Sequence, residues 1–427
     1  MNYTLRQGRV IDPANGLDQV VDVHMADGVV QALGVAPPGF TPDQVIDVQG
    51  RLVCPGLIDL WGRLQEPSLH DKSTIDSEVN AAIATGITTL CAPPDRTPIT
   101  DSPALIEMIQ RCSSENGKLN IFPIGALTKG LKGQQLSEMA ALKTSGCRFI
   151  SNARASIGNA LILRRALEYA ASHDLTVFLH AEEESLAAQG VMHEGAVSTR
   201  LGLPAIPDAA ECIAVSRDLA LVEQTGVKAH FCHLSSRKAL ALIQQAQDHG
   251  LDVSASVTIS HLFLSDEDVV EFNSNCHLQP PLRTLEDQQG LRAGLRSGCI
   301  QAICSDHNPL PDDAKLAPFE ATIPGASTMD AFLPLVLRLA EEGVLSLSQA
   351  IATITAQPAR ILGSNLGQLS VGSPANICVI DPAIDWCLAP ERLLSKGLNS
   401  PFLDWSLKGR VTHTFFGGQL VYTRPVD

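Results

Sequence analysis

A chain of 427 residues, 45% hydrophobic and 18% charged, can bury a large core, and its composition excludes an intrinsically disordered protein. Its formal net charge of −15, with no basic cluster anywhere, excludes nucleic acid and anionic membranes as principal partners. The eleven cysteines include no Cys-x-x-Cys pair and several sit in apolar runs, so they read as reduced core residues of a cytoplasmic protein; nothing in the Met1-to-Gly8 opening leads one to expect secretion, and no run is long and apolar enough to span a membrane.

Residues 1–52 alternate and turn often. Short β runs at 10–12, 20–24 and 45–48 are broken by Asn15-Gly16 and Asp27-Gly28, both strong turn signals. Residues 365–427 have the same texture, with β runs at 376–380, 411–416 and 419–422. Neither end has strands enough to bury a face alone, so the two are expected to form one small composite β-sandwich.

From 53 to 364 the pattern becomes strand and helix in alternation. Pro55-Gly56 interrupts the apolar run 53–60, the first strand, and a helix follows in which Ile75, Val79, Ala82 and Ile83 share a face before Gly86 ends it. Further strands are predicted at 87–91, 121–124, 148–151, 176–180, 229–233, 253–258 and 300–305, with clear helices at 161–171 and 237–247, the latter with Ser235 as N-cap. Eight such units specify a (β/α)8 barrel whose functional residues lie at the C-terminal ends of the strands. A doubly wound sheet is the rival fold, and the Gly-rich phosphate fingerprint it often carries is missing after the first strand.

Four polar groups fall at those strand ends: His180 on the fifth, His230 and His233 on the sixth, and Asp306 after the eighth. His24, His70, His173, His193 and His249 show no ligand spacing and read as surface residues, and Glu182-Glu183-Glu184 reads as a solvated helix start. Cys232 adjoins His233 on a strand, where neighbours point to opposite faces, so the two do not form a nucleophile–base pair.

The segment Pro55-Gly56-Leu57-Ile58-Asp59-Leu60-Trp61-Gly62-Arg63-Leu64-Gln65-Glu66-Pro67 resembles the first barrel strand of the dihydroorotases, cyclic amidohydrolases in which it ends His-x-His-Leu-Arg-Glu-Pro. Leu179-His180-Ala181-Glu182, Ala229-His230-Phe231-Cys232-His233-Leu234-Ser235, Pro280-Pro281-Leu282-Arg283 and Cys304-Ser305-Asp306-His307-Asn308-Pro309 are similar to further motifs of that family, so the likeness covers nearly the whole chain. It implies that His180 and His233 are vestigial ligands of one metal ion and Asp306 the vestigial base. Trp61 and Arg63 stand where the second ion's histidines would be, and Asn152 or Ala153 where a bridging carboxylate would be. Gln65, Gln279 and the altered segment 92–97 stand where the substrate carboxylate would be held.

The resemblance thus implies a non-catalytic dihydroorotase-like chain with no functional catalytic, metal or substrate-binding residue and no cofactor. Silent chains of this family associate with aspartate transcarbamoylase, which implies a hetero-oligomer with that enzyme's catalytic subunit and a homodimer of this chain within it. The alternative is a working cyclic amidohydrolase with one zinc on His180 and His233. Because the first and eighth strands of a closed barrel are neighbours, Arg63 is expected to lie against Asp306, where the ion would be.

Overall fold

The computed structural model describes residues 1–64 and 76–425; Gln65, His70 and Ile75 lie outside the described residues. Parallel strands Leu57–Asp59, Ile87–Ala92, Asn120–Ala126, Phe149–Ser151, Thr176–His180, Ala229–Cys232, Val253–Thr258 and Ala302–Cys304 form one sheet in unbroken sequence order. Helices between them pack outside, as apolar stripes dictate: in Ala160–Ser172 the residues Leu163, Ala166, Leu167 and Ala170 are buried, and the Asn159 side chain caps the free N–H groups of Leu161 and Ile162. Helix Arg237–Asp248 is capped by Ser236, one residue later than expected, because the N–H and hydroxyl of Ser235 are both taken by Glu211.

The apolar run predicted as one strand is two. Leu52–Pro55 pairs with Tyr3–Asp12 and Ile377–Cys387, while Leu57–Asp59 enters the barrel. Gly56 makes the crossing, and a Cβ there would collide with the Thr88 side chain. The first and eighth strands share no ladder. Instead the turn at 353–354 takes their free donors, with Ile303 N–H bonded to the Thr353 carbonyl at 3.2 Å and Ile58 N–H to that of Ile354 at 2.8 Å. Asp59 closes the seam with a carboxylate that accepts the Ser305 N–H at 3.0 Å, the Ser305 hydroxyl at 2.5 Å and the Trp61 N–H at 3.2 Å. Burial pushes its pKa up to about 6 against those hydrogen bonds.

Both termini build one continuous eight-stranded sheet wrapped about its own core, which includes Leu5, Val10, Met25, Val53, Ile377 and Phe415. Two histidines expected at the surface belong to interiors. His24 is buried with its ring nitrogens 3.0 Å from the Thr4 hydroxyl and the Gly34 carbonyl, and His193 is buried against Arg283. His230 lies inside the barrel, its nitrogens bonded to Ser254 and Ser256, so it is a satisfied core residue. No described helix is long and apolar enough to cross a membrane.

Candidate functional site at the barrel mouth

Arg63, rising from the first strand, is buried and meets two carboxylates. Its Nη2 lies 2.5 Å and its Nε 3.2 Å from the oxygens of Asp95, while Nη1 is 3.5 Å from Asp306. The expected approach to Asp306 is therefore present, but it is the longer of the two contacts. Asp306 has a closer partner of its own in Arg154, whose Nη2 lies 2.5 Å from its other oxygen. The result is a chain, Asp95–Arg63–Asp306–Arg154, in which two cations balance two anions, Arg63 buried and the other three side chains half-buried. Burial alone would raise the Asp95 pKa, but the charge and hydrogen bonds of Arg63 outweigh it and hold Asp95 below the usual carboxylate range. Sequence reading gave neither Asp95 nor Arg154 a part in the site, although Asp95 lies in the altered segment 92–97; the signal was a cation three residues past the fourth strand and an anion three past the second, on strand ends that must converge.

His180 and His233 face this chain with rings 5.9 Å apart, and among the described residues no nitrogen of either has a hydrogen-bond partner. Burial, reinforced by the charge of Arg154, lowers the His180 pKa to about 3, and the same causes push His233 well below its ordinary value. Both rings are neutral at pH 7. Trp61 is 1% exposed and sets its indole edge-on to His233, centroids 4.9 Å apart. The space left beside the histidines is about 10 Å³, room for roughly one water molecule.

Neither candidate for the bridging position can bridge. The Asn152 amide is consumed by its own turn, accepting from the Thr128 hydroxyl at 2.6 Å and donating to the carbonyls of Leu131 and Ala155, and Ala153 carries no polar side chain. Gln279 donates to Glu182 at 2.9 Å; Glu182 is buried, contrary to the solvated helix start expected of it, and burial raises its pKa. Ala153, His233 and Asp306, each just past a barrel strand, have φ of 50°, 56° and 50°, in the left-handed region that non-glycine residues seldom adopt.

Residues 50–239 match the model of the dihydro-orotase-like family, and residues 292–422 match that of the amidohydrolase family. The chain is 45% identical, over 99% of both proteins, to a dihydroorotase-like protein of Pseudomonas putida, and 44% identical to one of Pseudomonas aeruginosa over 99% of this chain and 100% of the other. It belongs to the dihydroorotase-like amidohydrolases. It is also 41% identical, over 99% of both proteins, to a dihydroorotase of a Geobacter species. The fold matches that of the L-hydantoinase of Arthrobacter aurescens with a TM-score of 0.87 at 22% identity, covering 99% of this chain and 96% of that one.

Members of such a family imply a metal centre, and the donors here do not fit one. Among the described residues no group of three or more His, Cys, Asp or Glu is placed to hold an ion. Asp306 is the nearest carboxylate, 4.0 Å from His233 Nε2, and its two oxygens already serve Arg63 and Arg154. Burial first, and then the charge of Arg154, keep both histidines unprotonated, and that same charge opposes a dication beside them. The site can hold charge in place.

Proposed function

We propose that this chain is a catalytically silent dihydroorotase-like protein that serves as a structural subunit of aspartate transcarbamoylase in pyrimidine synthesis. The observation that carries the silence is the Asp95–Arg63–Asp306–Arg154 chain, which ties up the vestigial base and sets two fixed cations where the family's chemistry needs metal ions. With no water activated by a Lewis acid, Asp306 has nothing to deprotonate. The partner rests on resemblance: a large fold retained without its chemistry is retained for its surface, and silent chains of this family pair with that enzyme. A homodimer of this chain fits inside such an assembly, with interfaces above about 1,000 Å² and poorer in charge than the rest of the acidic surface.

A second reading has one observation in its favour. The four unpartnered nitrogens of His180 and His233 are available donors, and a single zinc there would make the chain a working cyclic amidohydrolase. Metal analysis of the purified protein, with dihydroorotate turnover after added zinc, separates the readings. Silence requires substoichiometric metal and no turnover above background. Co-expression tests the partner: aspartate transcarbamoylase that elutes at the same size and has the same activity with or without this chain removes the scaffold proposal.

A further inference from the structure

The other end of the barrel carries a concavity that the vestigial site does not use. A bowl of about 540 Å³ opens at the N-terminal ends of the strands, with Thr176, Ala229, Val253 and Gln301 in its lining, and helix Ala356–Ile361 reaches it with Gln357 and Arg360. Ligand pockets usually span about 300–1,000 Å³, so the bowl is large enough for a metabolite.

Its charge runs against that of the protein. Lys143, Arg148, Lys228 and Arg360 line it against Asp174 and Asp252, an excess of two positive charges in a chain whose net charge is −15. Among the described residues only Lys228 of these four meets a carboxylate, that of Asp174 at 3.4 Å. Lys143 donates to the carbonyls of His173 at 2.5 Å and Asp174 at 3.2 Å, just past the C-terminus of helix Ala160–Ser172. Arg148 donates to the carbonyls of Leu362 at 2.8 Å and Gly363 at 3.0 Å, past the end of helix Ala356–Ile361. Helix-end carbonyls carry partial negative charge, so they position these cations and offset them only in part. Arg360 is exposed and has no ion pair among the described residues. Three cations therefore face one cavity without an ion pair among the described residues, against the single carboxylate of Asp252 that is in no ion pair either.

A second cavity of about 610 Å³ adjoins the first and shares Arg148 and Gly363 with it. Its lining changes from cationic to aromatic and amide, with half-buried Phe122 and Phe416 beside Asn120 and Asn365. Arg148 stands at the junction, its guanidinium 5.6 Å above the Phe149 ring.

We infer that this double cavity binds a phosphorylated small molecule with a planar ring. The phosphates lie among Arg148, Arg360, Lys143 and Lys228, where forked and point donors suit a polyanion better than a single carboxylate. The ring lies along Phe122 and Phe416, where stacking is sequence-blind but favours flat groups. Catalysis in barrels of this kind belongs to the opposite face, so a ligand here is held and not turned over. The site is independent of the silent mouth and stands or falls separately from it.

Calorimetric titration of the full-length protein with ATP and with inorganic tripolyphosphate tests this. ATP should show one saturable site per chain, weakening as salt rises from roughly 50 to 300 mM, and tripolyphosphate should bind the same site at least about tenfold more weakly. The double substitution Lys228→Glu with Arg360→Glu, at exposed side chains, should reduce ATP affinity at least about tenfold and leave the unliganded melting temperature unchanged. Absence of saturable heat with either probe up to about 5 mM, or unaltered ATP binding in the folded double variant, overturns the site. Tripolyphosphate binding as tightly as ATP overturns the aromatic half of the proposal.

Discussion

Substituting Arg154→Met tests whether the charge chain at the mouth supports the fold. The arginine and Asp306 side chains are each 12% exposed and 2.5 Å apart, so removing the cation leaves a nearly buried carboxylate whose remaining neighbours are the cation of Arg63 at 3.5 Å and neutral His233 at 4.0 Å. Breaking one side of a buried pair costs about 3–5 kcal/mol. Arg154 Nε has no partner in the folded chain, and losing that unsatisfied donor offsets part of the cost, so the lower end, near 3 kcal/mol, is expected. With an unfolding entropy of about 2.1 cal/mol/K per residue, that lowers the melting temperature by roughly 3–4 °C. Adding Asp306→Leu should recover most of the loss, because the double variant buries no unpaired charge. Denaturant unfolding of the four proteins, read by the fluorescence of buried Trp61, gives the coupling directly. A loss below about 1 kcal/mol for Arg154→Met, or additive losses in the double variant, would refute the view that these charges depend on one another.

Three further outcomes can be checked alongside it. Trp61→Ala should cost about 3–5 kcal/mol as a buried large-to-small change, whereas Trp61→Phe should cost about 1 or less because the indole N–H has no partner; equal losses in thermal melts would contradict the space-filling role. Arg283→Met strips buried Glu211 of the cation 3.6 Å away and should lose about 3 kcal/mol, with a smaller loss for Arg283→Met combined with Glu211→Gln. Acidification from pH 7 to 5 should lower the melting temperature. His230, His261, His277 and His413 have burial-lowered pKa values of about 3, 4, 4 and 4, so they stabilise fully above the unfolded value near 6.5 and lose that contribution as pH falls. Asp59 and Asp218, raised by burial to about 6, act in the opposite sense, as do Glu182, Glu211, Asp266 and Asp330, also raised by burial; with His180, His193 and His233 lowered as well, seven histidines stand against six carboxylates, and a melting temperature that holds or rises toward pH 5 would contradict this balance.

The barrel was legible because its signal is periodic and local: apolar strand runs and capped amphipathic helices fall within a residue or two of the observed elements. The division at Gly56 was not, since residues 52–59 are uniformly apolar and only tertiary pairing reveals that they serve two sheets. In the site, the departures of Trp61 and Arg63 from the family's motif could be read because each is visible at its own position. The charges that meet there could not. Asp95 and Arg154 come from different strand ends, and nothing in the spacing of 63, 95, 154 and 306 announces that four charges meet. Buried histidines such as His24 and His193 misled for the same reason, as their partners Thr4 and Arg283 lie 20 and 90 residues away.

The four charges also constrain how such a site can change. Arg63 alone, set beside Asp306, would leave the second carboxylate oxygen unpaired; Arg154 alone would leave two buried cations against one anion if Arg63 were already present. Asp95 makes the sum zero, and its 2.5 Å contact with Arg63 is the shorter of that arginine's two pairings. Any single reversion therefore strands a buried charge at about 3–5 kcal/mol, a large fraction of a domain's stability of about 5–15 kcal/mol. Restoring histidine at 61 and 63 would leave Asp95 unpaired and Arg154 still beside the vestigial ligands, so it should yield a less stable protein and no metal centre. Stoichiometric zinc in the Trp61→His, Arg63→His double variant would show that the arginine at 154 is no barrier, and that the repulsion argued for it is wrong.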